Sequence, residues 1–520
     1  MALQTVFAAI LLPIFLSISS ASAQSARTVN VRNYGVVADG GTDNEKGFLR
    51  AWNEACNGNG ASILYVPKGE YVLGPVVFSG PCKGPIMFLM AGVLKALPGP
   101  SDVSIWINFR NVNLLLIKGG GTFDGQGPSA WRFNNCAKDP NCKPLPINLK
   151  FDSVTNSRIE FVKSVNSKQT HISFHGCENV NITNVEVLAP ADSPNTDGIK
   201  MGRCSGIRIL NSRISTGDDC VAILSGSSNI EVSNVRCGPG HGISIGSLGK
   251  YQGELNVHGV TVTNCTFSQT DNGVRIKSWA SQVPATASNF LFQDIVMDRV
   301  LNPIIIDQTY CPHTTCDQEA ASHIQISDVT YRNIRGTSSS EVAVSFQCSK
   351  KFPCKNIMMA DVNFVNAKRG SPLKSTCSNV IGRSFGLQIV AIVVVVAATV
   401  DVIAIAIVIV AIVVVTTIAI VVDATVAIVA IVVDDTIVIV AIVIAATVVI
   451  VDVTTVAASD VFIAYNAPKY ELVVWRQLET FGAQMENLED MLKEMNTFLF
   501  ISLSMSSRSS LEDQESLVNC

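Results

Sequence analysis

From about Val112 to Phe364 the chain repeats one short pattern: an apolar residue, a polar one, an apolar one, two variable positions and another apolar residue. Val180, Ile182 and Val185 make one copy, and Ile230, Val232 and Val235 another. Ile324, Ile326 and Val329 follow, then Ile357, Met359 and Val362. Asn or Ser precedes most copies, and successive copies are spaced by roughly 21 to 35 residues, within the range of repeat architectures. Alternation with period two means strands with one buried face. Gaps this short and rich in glycine leave no room for crossover helices. The fold that meets both constraints is all-β, a right-handed parallel β-helix, or solenoid. Each coil contributes a few short strands to long parallel sheets, and Asn and Ser side chains can hydrogen-bond the backbone at the turns. A β-sandwich would favour hairpin turns such as Asn-Gly at regular spacing, and only isolated candidates occur.

The flanks differ from this body. Residues 1–23 carry an apolar run from Val6 to Leu16 and end in Ala21-Ser22-Ala23, which reads as a signal peptide, although no Lys or Arg precedes the run. Fourteen of the fifteen cysteines lie between Cys56 and Cys377, several in close pairs, as expected of a secreted, oxidised protein. No pair has the CxxC spacing joined to a second such pair or to two His residues that a zinc site would show. The net charge of -4 gives no basic face for nucleic acid, and a polyanionic ligand would need a local basic cluster.

Residues 389–458 contain only Ala, Val, Ile, Thr and Asp. Apolar runs such as Val402 to Val422 are long enough for a membrane span, which makes this the one stretch where membrane contact is conceivable. Asp401, Asp423, Asp434, Asp435 and Asp452, and the lack of Leu, aromatic and basic flanks, argue against a span. Codons for all five residue types begin with G or A, so a translated nucleotide repeat explains the alphabet better. Beyond it, Leu478, Phe481, Met485, Leu488, Leu492, Met495 and Leu499 are spaced by threes and fours, predicting a short helical tail. The expected organisation is therefore a signal peptide over 1–23, the solenoid over 27–385, low-complexity sequence over 386–460 and the tail over 461–520.

Four stretches within about 85 residues carry the chemistry. They are Ser193-Pro194-Asn195-Thr196-Asp197-Gly198, Gly217-Asp218-Asp219-Cys220, Gly240-His241-Gly242-Ile243-Ser244-Ile245-Gly246-Ser247 and Arg275-Ile276-Lys277, with Tyr310 ahead of Cys311 as a fifth position. As an ordered set they resemble the polygalacturonases, a pectin-hydrolysing glycoside hydrolase family, and the resemblance runs from about Val29 to Gly382. Gly240 to Lys250 and Asn302 to Gln308 look most like the plant pollen exopolygalacturonase branch. The resemblance implies inverting hydrolysis of α-1,4-linked galacturonan in the plant cell wall, by a monomer that needs no metal or other cofactor, with exo action favoured over endo.

The residues support that chemistry independently. Glycosidic hydrolysis needs one protonated carboxyl for the leaving oxygen and one carboxylate to activate water. By resemblance Asp218 is the acid, and Asp197 and Asp219 hold and deprotonate the water. Close like charges raise the pKa of one member, and Asp218 is expected to be the one that carries the proton. Because Asp218 and Asp219 are adjacent, a bend is needed to aim both at one groove, and Gly217 could permit it. Arg275 can pair bidentately with a galacturonate carboxylate, and Lys277 adds a charge on the same strand face. His241 is expected to contact the acid or the sugar, and Asn195 and Tyr310 the substrate. His171, His175, His258, His313 and His323 have no such support and read as structural.

The family pattern implies a Cys220–Cys237 bridge beside the catalytic loop. Further expected bridges are Cys56–Cys82, Cys136–Cys142, Cys311–Cys316 and Cys348–Cys354, while Cys177 and Cys204 either pair or stay buried thiols, and Cys265 is left open. Asn181-Ile182-Thr183 and Asn264-Cys265-Thr266 are glycosylation sequons that overlap strand repeats, so their occupancy is open. Family members end soon after the Cys377 region with one more cysteine, which the match does not reach. Cys377 is therefore without an evident partner, and the last coil is expected to present an uncapped edge. Two other readings compete with hydrolysis. A pectate lyase on a similar solenoid would need calcium and a base, and a non-catalytic wall-bound or tethered protein is suggested only by the tail.

Overall fold

Alternation along each strand sends every second side chain inward, and the coils stack so that like residues meet. One coil consists of Ser205–Leu210, Arg213–Ser215 and Val221–Ile223, and the next of Ser228–Ser233, Arg236–Cys237 and Ile243–Leu248. The strands pair in parallel, with Ile207 beside Ile230, Ile214 beside Cys237 and Ile223 beside Ile245. The last strands of the coils form a twelve-stranded parallel sheet running from Val76–Ser79 to Ala391–Ile392. From Ala285–Val300 onward the first two strands of a coil fuse into one long bent strand, as in Ile324–Ser338 and Cys354–Asn366. The result is the expected parallel β-helix. This computed structural model describes residues 26–134, 136, 142–312, 321–368 and 371–386, and the backbone alone at 387–388, 391–392, 427–433, 436–445, 448–457 and 516–519.

The coils turn sharply where the sequence places asparagine. Asn184, Asn211, Asn234 and Asn264 hold φ between 51° and 55° at equivalent corners. Asn tolerates this left-handed region better than most residues because its short polar side chain can bond locally. Asn234 Nδ2 donates to Asn211 Oδ1 at 2.7 Å, so neighbouring corners are also tied to each other. Of the two sequons, Asn264 is exposed at such a corner, while Asn181 is half-buried within a strand.

Inside the solenoid a column runs beneath the twelve-stranded sheet. Phe109, Phe151 and Phe174 stack with ring centroids 5.3 and 4.9 Å apart. Met201, Ile223, Ile245, Ile276, Ile306 and Phe346 continue it in register. The α-helix Glu45–Cys56, absent from the sequence expectation, closes the N-terminal end with Phe48, Ala51, Trp52 and Ala55 buried. These four positions follow helical spacing, a signal that lies ahead of the strand repeat.

Cys56–Cys82, Cys136–Cys142, Cys220–Cys237 and Cys348–Cys354 are bonded as expected. Cys311 is also disulfide-bonded, whereas Cys316 lies outside the described residues. Cys177, Cys204 and Cys265 are buried free thiols. Two expectations about the end of the solenoid change. Cys377 is disulfide-bonded. The strand Ser516–Asn519 pairs antiparallel with Val380–Gln388, so its unpaired backbone groups find partners instead of forming an open edge.

The chain divides into two units, residues 1–395 with 513–520, and 396–512. In the second, Ala427–Val433, Thr436–Ala445 and Val448–Ala457 form an antiparallel three-stranded sheet, in keeping with their β-branched composition. Among the described residues no helix is long and apolar enough to cross a membrane. The expected signal peptide lies outside the described residues, as does the expected helical tail except for the extended Ser516–Asn519. Truncating Phe151 tests the inner column: Phe151→Ala should lower unfolding free energy by about 3–5 kcal/mol, read by denaturant titration.

Candidate active site

Strand register brings the sequence motifs to one place. Ile199, Val221, Ile243 and Val274 are neighbours in the twelve-stranded sheet, and the residues two positions earlier are Asp197, Asp219, His241 and Asn272. These four therefore occupy equivalent positions at the entry to adjacent strands. Next along the strands, Lys200, Ala222, Ser244 and Arg275 form an outward-facing row in the same register. Asp218 joins the group because the chain bends at Gly217 and Asp218. There glycine is needed for close approach, since a Cβ on Gly217 would overlap the Ser193 carbonyl of the preceding coil. Cys220–Cys237 ties the bend to the next coil, and the Asp218 carbonyl accepts from the His241 backbone N–H at 2.8 Å.

The three carboxylates have different surroundings. Asp219, whose side chain is 3% exposed, accepts from Arg275 Nη2, Lys277 Nζ and Ser244 Oγ, each at 2.8 Å. Arg275 and Lys277 thus face a carboxylate of the chain itself. Asp197, 6% exposed, pairs with Lys200 Nζ at 2.8 Å and accepts from Thr170 Oγ1 at 3.1 Å. Asp218 is the most open at 20%, and its Oδ1 lies 3.1 Å from His241 Nδ1. On the other side of the ring, His241 Nε2 lies 3.4 Å from Asp271 Oδ2.

These surroundings set the protons. Burial, reinforced by the charges of Asp218 and Asp219, pushes Asp197 up to about 6 despite Lys200. Burial also favours a neutral Asp218, but the hydrogen bond and charge of His241, with Lys277, outweigh it and hold the carboxyl well below its usual range. His241 is raised, first by its hydrogen bond to Asp218 and then by the surrounding carboxylates. Asp218 was expected to carry the resting proton. The surroundings run the other way, raising Asp197 and His241 and lowering Asp218, because burial dominates at Asp197 and the His241 partner outweighs it at Asp218.

Of the other expected residues, Asn195 Nδ2 reaches Asp218 Oδ2 at a long 3.5 Å, and Tyr310 lies with its ring 5.1 Å from Lys277 Nζ and 5.9 Å from the Arg275 guanidinium. Lys200, Thr170, Ser244 and Asp271 were not anticipated. Lys200 had a signal, since it lies three residues after Asp197 on an outward strand position. Among the structural histidines, His171 is fully buried and its pKa is pushed down to about 3 by that burial, while His313 lies outside the described residues. Ligand atoms of Asp218, Asp219 and His241 lie within 4.8 Å of one another. That set does not fit calcium, which takes six to eight oxygens, and the ammonium and guanidinium on Asp219 would repel a divalent ion.

Comparison with known proteins agrees with this geometry. The family description "Glycosyl hydrolases family 28" matches residues 56–386. An exopolygalacturonase of Platanus acerifolia is 45% identical over 371 residues, covering 71% of this chain and 98% of its own. One from Zea mays is 41% identical over 361 residues, covering 69% of this chain and 88% of its own. In structure, an endo-xylogalacturonan hydrolase of Aspergillus tubingensis superposes with a TM-score of 0.60 at 22% identity, covering 72% of this chain and 100% of its own. An exopolygalacturonase of Thermotoga maritima gives 0.56 at 22% identity, covering 70% and 91%. At such identity the structural matches speak for the solenoid alone, but the sequence matches extend through the coils that hold the carboxylates, and this chain belongs to family 28 of the glycosyl hydrolases.

Proposed function

We propose that the solenoid is an exo-acting polygalacturonase that hydrolyses α-1,4-galacturonan with inversion. The observation that carries this reading is the gathering of three carboxylates at one place with Arg275 and Lys277, both of which pair with Asp219. A galacturonate chain brings a carboxylate with each sugar, and these cations offer it a partner. Asp218 is the carboxylate most open to the groove and stands opposite the leaving oxygen. The proton it gives is drawn from His241 across the 3.1 Å contact. Asp197 and Asp219, recessed and held by Lys200, Arg275 and Lys277, bind and deprotonate the attacking water. The chain gains a proton at the leaving oxygen as water loses one to Asp197, so the step balances.

Exo action is supported by the segment Gly127–Asn134. Trp131 Nε1 anchors it by donating to the Ser167 carbonyl at 3.0 Å, and Asn134 Nδ2 reaches Asn195 Oδ1 at 3.3 Å, which sets the segment beside the site. The names of the relatives point the same way. The disulfides suit a secreted enzyme, and the plant relatives suggest the cell wall as the place of action.

Chromatography of early products on polygalacturonate should show galacturonate monomer from the first time point. A spread of oligomers without monomer would indicate endo action, and unsaturated ultraviolet-absorbing products would indicate a lyase. Asp218→Asn should lower kcat by about 10²–10⁴-fold with the fold intact by circular dichroism. Survival of full activity would remove Asp218 from the acid role.

The raised pKa of Asp197 fixes a further expectation. As a base Asp197 must be ionised, so kcat/KM should fall as pH drops through about 6. The Lys200 charge favours the ionised form, so Lys200→Met should move this acidic limb to higher pH. A limb that stayed in place or moved downward would contradict the base role.

A further inference from the structure

Beyond Lys277, the strand Asn272–Trp279 ends in an indole that none of the steps above uses. Trp279 stands beside Tyr310 in the sheet, with rings edge to face and centroids 5.6 Å apart. On its other side the Lys250 ammonium lies 5.0 Å from the indole centroid and 5.3 Å from that of Tyr251. Lysine and aromatic groups therefore continue the Arg275–Lys277–Tyr310 cluster outward in one unbroken series.

The loop that carries Lys250 is built to hold it there. Glu254 accepts backbone N–H bonds from Gly249, Lys250 and Tyr251 at 2.8, 2.9 and 2.9 Å, and Ser281 Oγ donates to the Gly249 carbonyl. The Glu254 carboxylate is thus turned to the backbone. Lys250 is exposed, and among the described residues no carboxylate pairs with its ammonium. A positive charge held in place over an aromatic face, open to solvent and without a counter-ion, is a preorganised receptor for an anionic group next to an apolar surface.

We propose that Lys250 and Trp279 form a subsite for the galacturonate unit adjoining the one that Arg275 and Lys277 face. The indole covers the C–H face of the sugar and the ammonium pairs with its carboxylate. This rests on the galacturonan reading given above. Occupying the subsite requires a chain long enough to reach past Tyr310, so its contribution grows with substrate length.

The test compares kcat/KM on digalacturonate and hexagalacturonate for the wild-type enzyme, Lys250→Met, Lys250→Arg and Trp279→Leu. Lys250→Met and Trp279→Leu should each lose roughly three- to tenfold on the hexamer, mainly through KM, with little change on the dimer. Lys250→Arg should keep most of the hexamer rate, and raised salt should narrow the gap between the wild-type enzyme and Lys250→Met. Equal losses on dimer and hexamer would overturn the subsite and leave a merely structural role for the loop, as would an unchanged hexamer rate. A wild-type enzyme that cleaved neither would refute the galacturonan reading itself, and the subsite with it.

Discussion

Asp219 and its two cations are the interaction on which the site depends. A carboxylate 3% exposed to solvent is costly to bury unless partners replace its hydration, and Arg275, Lys277 and Ser244 do so at hydrogen-bond distance. The partners come from the next two coils, so the pairing of Asp219 depends on the stacking of the solenoid. In the proposed function the same cations offer a galacturonate carboxylate its counter-charge.

The sheet makes such an arrangement possible because parallel register repeats positions without repeating residues. Asp197, Asp219, His241 and Asn272 occupy one equivalent place in four coils, while Met201, Ile223, Ile245 and Ile276 occupy another, facing inward. The inner column fixes the height of each strand to within a side chain. A groove residue therefore inherits its precision from the packing below it, and catalytic geometry needs no dedicated scaffold.

Much of this was legible in the sequence because period-two alternation reports burial directly. Ile230, Val232 and Val235 announced their strand, and the asparagines before the apolar triplets marked the corners. Asp197, Asp218, Asp219 and His241 were legible through the motifs around them. Less legible were features that depend on which coil lies against which. The partnership of Asp219 with Arg275 and Lys277 spans 56 and 58 residues of chain and follows only from register. The expectation for the proton differs for a related reason: like charges within the carboxylate group favoured raising Asp218, whereas burial raises Asp197 and the His241 ring lowers Asp218. The helix Glu45–Cys56 lies ahead of the strand repeat that dominates the pattern, and the pairing of Ser516–Asn519 with the last coil joins segments that no local pattern connects.

The division of labour among the carboxylates has a stereochemical signature. If Asp197 and Asp219 activate water on the face opposite the leaving oxygen, the bond to the α-linked sugar is broken with inversion. Proton NMR of the anomeric signals during the first minutes of hydrolysis reads this directly. The β anomer of galacturonate should appear first and the α anomer only as mutarotation proceeds. First appearance of the α anomer would mean that a carboxylate attacks the sugar itself, and would contradict the roles given to Asp197 and Asp219.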